Sequence, residues 1–335
     1  MLSYNEFKDY LCKNVKKYLP DQFQNADIKI EKYTKANAGE IEAIMIVPEG
    51  CNIAPAFPLN DFYKGYQDGE SLEEIMEDIR KGLQINAEKI LEPSDLEQLD
   101  KWDYWKDKIS IRVVNKDRNQ LLMEQVPWRD VEGTDLIMFF DIRLSNEAHI
   151  LIQNERMDQW AVGKEELYNS AMSNLQKEQV ICSEMTGKFL CMPDGKVDLV
   201  DAKLTDVEPE MLHADFLYRI TNENGIFGAA ELLNKELLSE LEKRLQGELV
   251  IFPSSVHELV LSRYDAAKSP AALQCMVLDG NRFLEKEQDF LSNNVYVYGN
   301  GKIRTITNEN TLMLATQVLE ILNHGEQEDG KGMEQ

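Results

Sequence analysis

Nowhere does this sequence hold an apolar run long enough to cross a bilayer. The longest, such as residues 136–140 (LIMFF), fall far short of the ~20 residues a membrane helix requires. Residues 1–20 are amphipathic and charged, without the continuous apolar stretch of a signal peptide. Basic residues are also scarce: 36 Lys and Arg stand against 60 Asp and Glu, a net charge of −24, and no Lys/Arg run exceeds two. Nucleic acid is bound mainly through Lys and Arg, so it is not expected as a partner. The same repulsion opposes anionic membrane surfaces, and the charge is read as colloidal solubility. The five cysteines, Cys12, Cys51, Cys182, Cys191 and Cys275, are odd in number and scattered, which suggests reduced thiols in a cytoplasm. Familiar catalytic and cofactor motifs are missing too. There is no CxxC, no GxGxxG after a strand and no GxSxG elbow, and HELVL at 257–261 lacks the second ligand of HExxH. No metal and no cofactor are expected.

The 335 residues, 43% of them apolar, are enough for a sizeable core. Ser3 and Glu6 form a capping box that opens an N-terminal helix, and Pro20 closes it. Alternation over 27–33 and 40–47, with a turn at 37–39, predicts a hairpin. The 52–69 stretch holds two prolines, which argue against a helix or central strand. Ser71 and Glu74 open a helix over about 71–91, and a second helix is expected near 94–107. Strands follow at 108–115, 134–143 and 148–154, the middle one hydrophobic enough to be central. His149 at a strand start is expected to be partly exposed. A helix is read over 164–179 and an irregular stretch over 182–210.

A strand at 213–222, a long helix over 225–247 and a strand at 248–252 read as a βαβ-like unit with a parallel pair. Asn300–Gly301 marks a type I′ hairpin. A terminal helix over about 308–323 should turn Leu314, Val318 and Leu322 inward. The fold class expected is α+β, with mixed sheets flanked by helices. The division expected is 1–155, a half containing the hairpin; 156–324, a half built on the βαβ-like unit; and 325–335, a disordered tail.

Two groups of residues are candidates for function. The segment PSSVHE offers Ser254 or Ser255 as a nucleophile, His257 as a base and Glu258 as an orienting acid. On an extended strand Ser255 and His257 share a face, but their backbones stand about 6.6 Å apart, and Glu258 points the other way. The favoured reading is therefore a chain reversal, in which Pro253 ends one strand and the serines bond free backbone groups. His213 could join His257 and a glutamate in a zinc site, but no spacing motif supports it. The second group is Phe57, Phe62, Tyr63 and Tyr66, which read either as rings covering the core or as a lip for a ligand or protein partner.

Six segments carry a resemblance: NIAPAFPLNDFYKGY, KISIRVVNKDRN, MDQWAVGKEELYNSAMSNL, ITNENGIFGAAELL, LVIFPSSVHELVL and FLSNNVYVYGNG. Through them the chain resembles the uncharacterised bacterial family called Domain of Unknown Function 5688, from about Tyr4 to Tyr298. The resemblance implies a bacterial, cytoplasmic protein and brings no activity with it. Two functions are expected to compete. One is a non-enzymatic binding or accessory protein; the other is a hydrolase-like enzyme centred on PSSVHE.

Overall fold

The computed structural model describes residues 1–49, 55–87, 98, 100–144, 149–185, 201–203, 212, 214 and 216–329. The expected turn at 145–146, the PDG at 193–195, His213, Cys51 and Cys191 lie outside these residues.

The N-terminal helix, Tyr4–Asn14, begins on the predicted box: Ser3 Oγ accepts from Glu6 N–H, and Glu6 accepts from Ser3 N–H. It packs on an antiparallel sheet of β1 (Asp27–Lys35), β2 (Gly39–Val47) and β3 (Ala56–Pro58). A helix does follow in the proline-bearing stretch, Leu59–Gln67, with Pro58 at its N-cap. Proline costs nothing there, because the first N–H groups of a helix have no intrahelical acceptor. The helix Leu72–Ala87 completes this unit, whose core gathers Phe7, Leu11, Ile44, Ile46, Leu59, Ile75 and Ile79.

A second sheet places β6 (Leu136–Arg143) between β4 (Ile109–Asn115) on one side and β5 (Trp128–Asp130) and β7 (His149–Leu151) on the other. As its apolar run implied, β6 is buried on both faces. Among the described residues the third sheet has seven strands: β8 (Val180–Met185), β9 (Asp201–Lys203), β10 (Leu217–Asn222), β11 (Leu249–Ser255), β12 (Glu258–Arg263), β13 (Tyr296–Gly299) and β14 (Lys302–Thr305). Their order is β14-β13-β11-β12-β10-β8-β9. One core fills the space between the second and third sheets, from Trp105 through Leu167 and Leu238 to Tyr298. Period-two alternation divides β11: Leu249 and Ile251 enter that core, while Val250 and Phe252 enter a smaller one on the opposite face.

The α+β class holds, but the sheets are antiparallel rather than mixed. β10 and β11 do run the same way, yet β12 is inserted between them and pairs antiparallel with both. The tight hairpin after β11 puts β12 in the slot a parallel partner would need. The long helix expected over 225–247 breaks into a 3₁₀ segment, Gly228–Leu233, and a helix, Lys235–Arg244. Asn234 causes the break, because its side chain accepts from Leu237 N–H and starts the second helix afresh. A helix at Pro270–Asn281 went unpredicted, although Ser269 caps it and Pro270 follows at the first position. The terminal helix runs Glu309–Asp329, taking in the start of the expected tail; residues 330–335 lie outside the description. It is rotated by one residue from expectation. Ala315 and Leu319 are buried, while Leu314 and Val318 are 49% and 46% exposed.

Candidate functional site: a cleft beside the β11–β12 turn

β11 does not stop at Pro253. It continues through Ser255, with an irregular register between Phe252 and Ser255 that absorbs the missing proline N–H. The reversal is Val256–His257, and neither residue takes a positive φ. Bonds from outside hold it instead. Val256 N–H donates to Asp289 O (2.9 Å), Ala229 N–H donates to Val256 O (3.3 Å), and Thr221 Oγ1 donates to His257 O (2.8 Å). Gly228 is required beside it, since a Cβ there would lie 2.6 Å from the His257 carbonyl.

The turn separates the candidate residues. Ser255 Oγ accepts from the His257 backbone N–H (3.1 Å), the local role expected of it. Ser254 departs from that expectation, because its hydroxyl donates to Glu258 Oε1 (3.1 Å). Arg219 holds the other oxygen of Glu258 at 3.5 Å. The His257 ring bonds to neither serine. Its Nδ1 accepts from Phe227 N–H (3.1 Å), and its Nε2 lies 3.3 Å from Asp289 Oδ1. A ring nitrogen that accepts a backbone N–H carries no proton, so the proton sits on Nε2 and is donated to Asp289. The acid paired with His257 is thus Asp289, from the 3₁₀ turn Glu287–Asp289, and not Glu258.

Phe227 is held in left-handed backbone at φ +57, a strained state for a bulky residue. Its ring is enclosed by His257 at 5.3 Å, His149 edge-on at 5.2 Å and the Arg112 guanidinium at 3.8 Å. Arg112 in turn pairs with the fully buried Asp141. Burial pushes the Asp141 carboxyl above its ordinary range, and Arg112 and Arg143 pull it back. His149 is half-buried as a residue, as expected, and its ring, largely covered, lies 3.9 Å from Asp141. The aromatic ring of Phe227 covers it.

A cleft of ≈ 480 Å³ opens beside the turn, between the outer face of the third sheet and the 270–289 segment. Ser254, Ser255, His257, Glu258 and Asp289 line it together with Phe252, Val260, Val277 and Phe283. Sequence reasoning missed Asp289, Phe227 and the whole 276–289 wall. Asp289 lies 32 residues from its partner and carries no local pattern. The Ser269–Pro270 cap was the one available signal for that wall. The other candidates sit elsewhere. Phe57 pairs with Ile44 in the first sheet, Tyr63 packs on Tyr4 and Phe7, and Tyr66 stacks on Phe7. Phe62 packs on the same core. Tyr66 OH accepts from Leu2 N–H and Tyr63 OH donates to Leu2 O, so the rings clamp the chain's start.

Among the described residues no group of three or more His, Cys, Asp or Glu is arranged to hold a metal, and no helix is long and apolar enough to cross a membrane. No curated protein and no solved structure matches the chain. Residues 4–300, which take in the six recognisable segments save the final Gly301, match a family of unknown function, DUF5688, and to that family the chain belongs.

Proposed function

We propose that this is a binding or accessory protein whose recognition site is the cleft beside Val256–His257. One observation carries the reading: both nitrogens of His257 are engaged by the protein while an open, largely apolar cleft adjoins the ring. A neutral imidazole has one donor and one acceptor, so no lone pair is left to take a proton from a substrate. Concave, mostly apolar clefts with a few convergent polar groups are the usual form of small-molecule sites. The rings of Phe57, Tyr63 and Tyr66 contact the N-terminal core, which favours the cleft over the aromatic segment as the binding surface. The free thiols of Cys12, Cys182 and Cys275 support a cytoplasmic setting. The net charge of −24 supports a partner other than nucleic acid.

The test is a fragment screen read by NMR. Hits should move the resonances of Phe252, Val260 and Asn281, and Met276→Trp, which narrows the cleft, should abolish them. Hits that cluster elsewhere and leave these resonances still would overturn the reading.

A hydrolase-like reading has one observation in its favour, the Ser254 hydroxyl bonded to Glu258 within the cleft. It requires turnover of activated esters that disappears in Ser254→Ala. Equal rates in the two proteins would remove it.

A further inference from the structure

We infer that the cleft takes a small organic cation, an amine or guanidinium carried on an apolar body. The inference rests on the reading of the cleft as a binding site. Among the described residues every charged side chain in its lining is a carboxylate, namely Glu258, Glu285 and Asp289, and none is a Lys or Arg. The three differ in how far their charge is already answered. Glu258 is held by Ser254 and, at 3.5 Å, by Arg219. Asp289 faces His257, whose tautomer is the neutral one imposed by Phe227 N–H, so that hydrogen bond leaves the carboxylate charge in place. Lys35 is a cation whose field reaches Asp289, and burial there disfavours its charged form. Glu285 is exposed and has no hydrogen-bond or ion-pair partner among the described residues.

The same lining is also partly apolar, with Phe252 and Val277 both buried in the small core. Acids set against a low-dielectric wall focus a negative field in the space between them. A cation entering that space gains from the field, and an anion meets like charge that costs it affinity. The apolar wall demands more than charge, since a bare ion would leave it wet. At the rim Phe283, 78% exposed, offers a ring face on which a cation can rest. The volume of ≈ 480 Å³ falls within the range of small-molecule sites and excludes a folded partner.

Three probes of one shape decide the matter: phenylbutylamine, phenylbutanol and phenylbutanoate, each titrated into the full chain. Binding is followed on the methyl resonances of Val260, Val277 and Leu284. The amine should bind about tenfold more tightly than the alcohol, the scale of one partly screened ion pair. The acid should leave the spectrum unchanged, and the amine's advantage should shrink in about 0.5 M salt. Glu285→Gln, at an exposed position that leaves the fold alone, should cut that advantage, and Asp289→Asn should cut it further. Equal binding of amine and alcohol, or preference for the acid, would overturn the cation assignment and leave the cleft as a binding site. No binding by any probe at millimolar concentration would overturn both.

Discussion

Glu231 is buried within the 3₁₀ segment Gly228–Leu233, with Oε2 accepting from Asn234 Nδ2 and Oε1 without a hydrogen-bond partner among the described residues. Loss of solvent, abetted by the nearby Glu178, pushes its carboxyl up to about 8. The sign of the consequence follows from linkage. Between the ordinary value of 4.5 and about 8 the folded chain keeps a proton that the unfolded chain has lost. Stability therefore falls as pH rises through that window. At roughly 1.4 kcal/mol per pH unit the loss is on the order of 5 kcal/mol. Glu231→Gln keeps the acceptor for Asn234 and removes the charge. The variant should match the parent near pH 5 and exceed it by several kcal/mol near pH 9, measured by urea denaturation. Parallel pH profiles for the two proteins would show that Glu231 titrates normally. The helix start at Asn234 went unread, although asparagine is a favoured N-cap residue. The burial of Glu231 was not readable, because a glutamate one turn before a helix is ordinarily solvated.

At the scale of elements, the β1–β2 hairpin reaches out of its own unit and touches the candidate site. Asn37, at its tip, takes φ +59. Its side-chain amide donates to Gln288 O and Phe290 O, the carbonyls on either side of Asp289. Its backbone N–H donates to Asn119 Oδ1, and Asn119 Nδ2 answers by donating to Asn37 Oδ1. Asn37→Gly tolerates the left-handed backbone and deletes only the side-chain bonds. It should cost about 1–2 kcal/mol in a denaturant melt and shift the His257 ring resonances through Asp289. Unchanged ring resonances would uncouple the tip from the site. The hairpin itself was legible from Ile28 and Ile30 alternating with Lys29 and Glu31, and from the turn at 37–39. Its docking was not, since Asn37 and Phe290 stand 253 residues apart and no local pattern connects them.

Across the whole molecule, 60 acidic residues repel one another with only 36 bases to answer them. Self-repulsion of this kind lowers the stability of the compact state. Added salt, which screens exposed charges beyond roughly 10 Å at about 0.1 M, should raise the melting temperature by a few degrees before levelling off. Calorimetry between low and moderate NaCl measures it. A melting temperature that falls steadily with NaCl would mean that attractive ion pairs, such as Arg304–Glu248, outweigh the repulsion.

The α+β class, the N-terminal capping box, the hairpin at Asn300–Gly301 and the double-sided burial of β6 were written into the chain. Each depends on residues within a few positions of one another, so period and turn chemistry suffice to reveal it. Tertiary structure alone decided that β12 would enter between β10 and β11, that Asp289 would face His257, and that Phe227 would take the histidine's free lone pair. Those outcomes depend on which distant surfaces exclude water together, and their free energy comes from contacts that exist only once the chain has closed on itself.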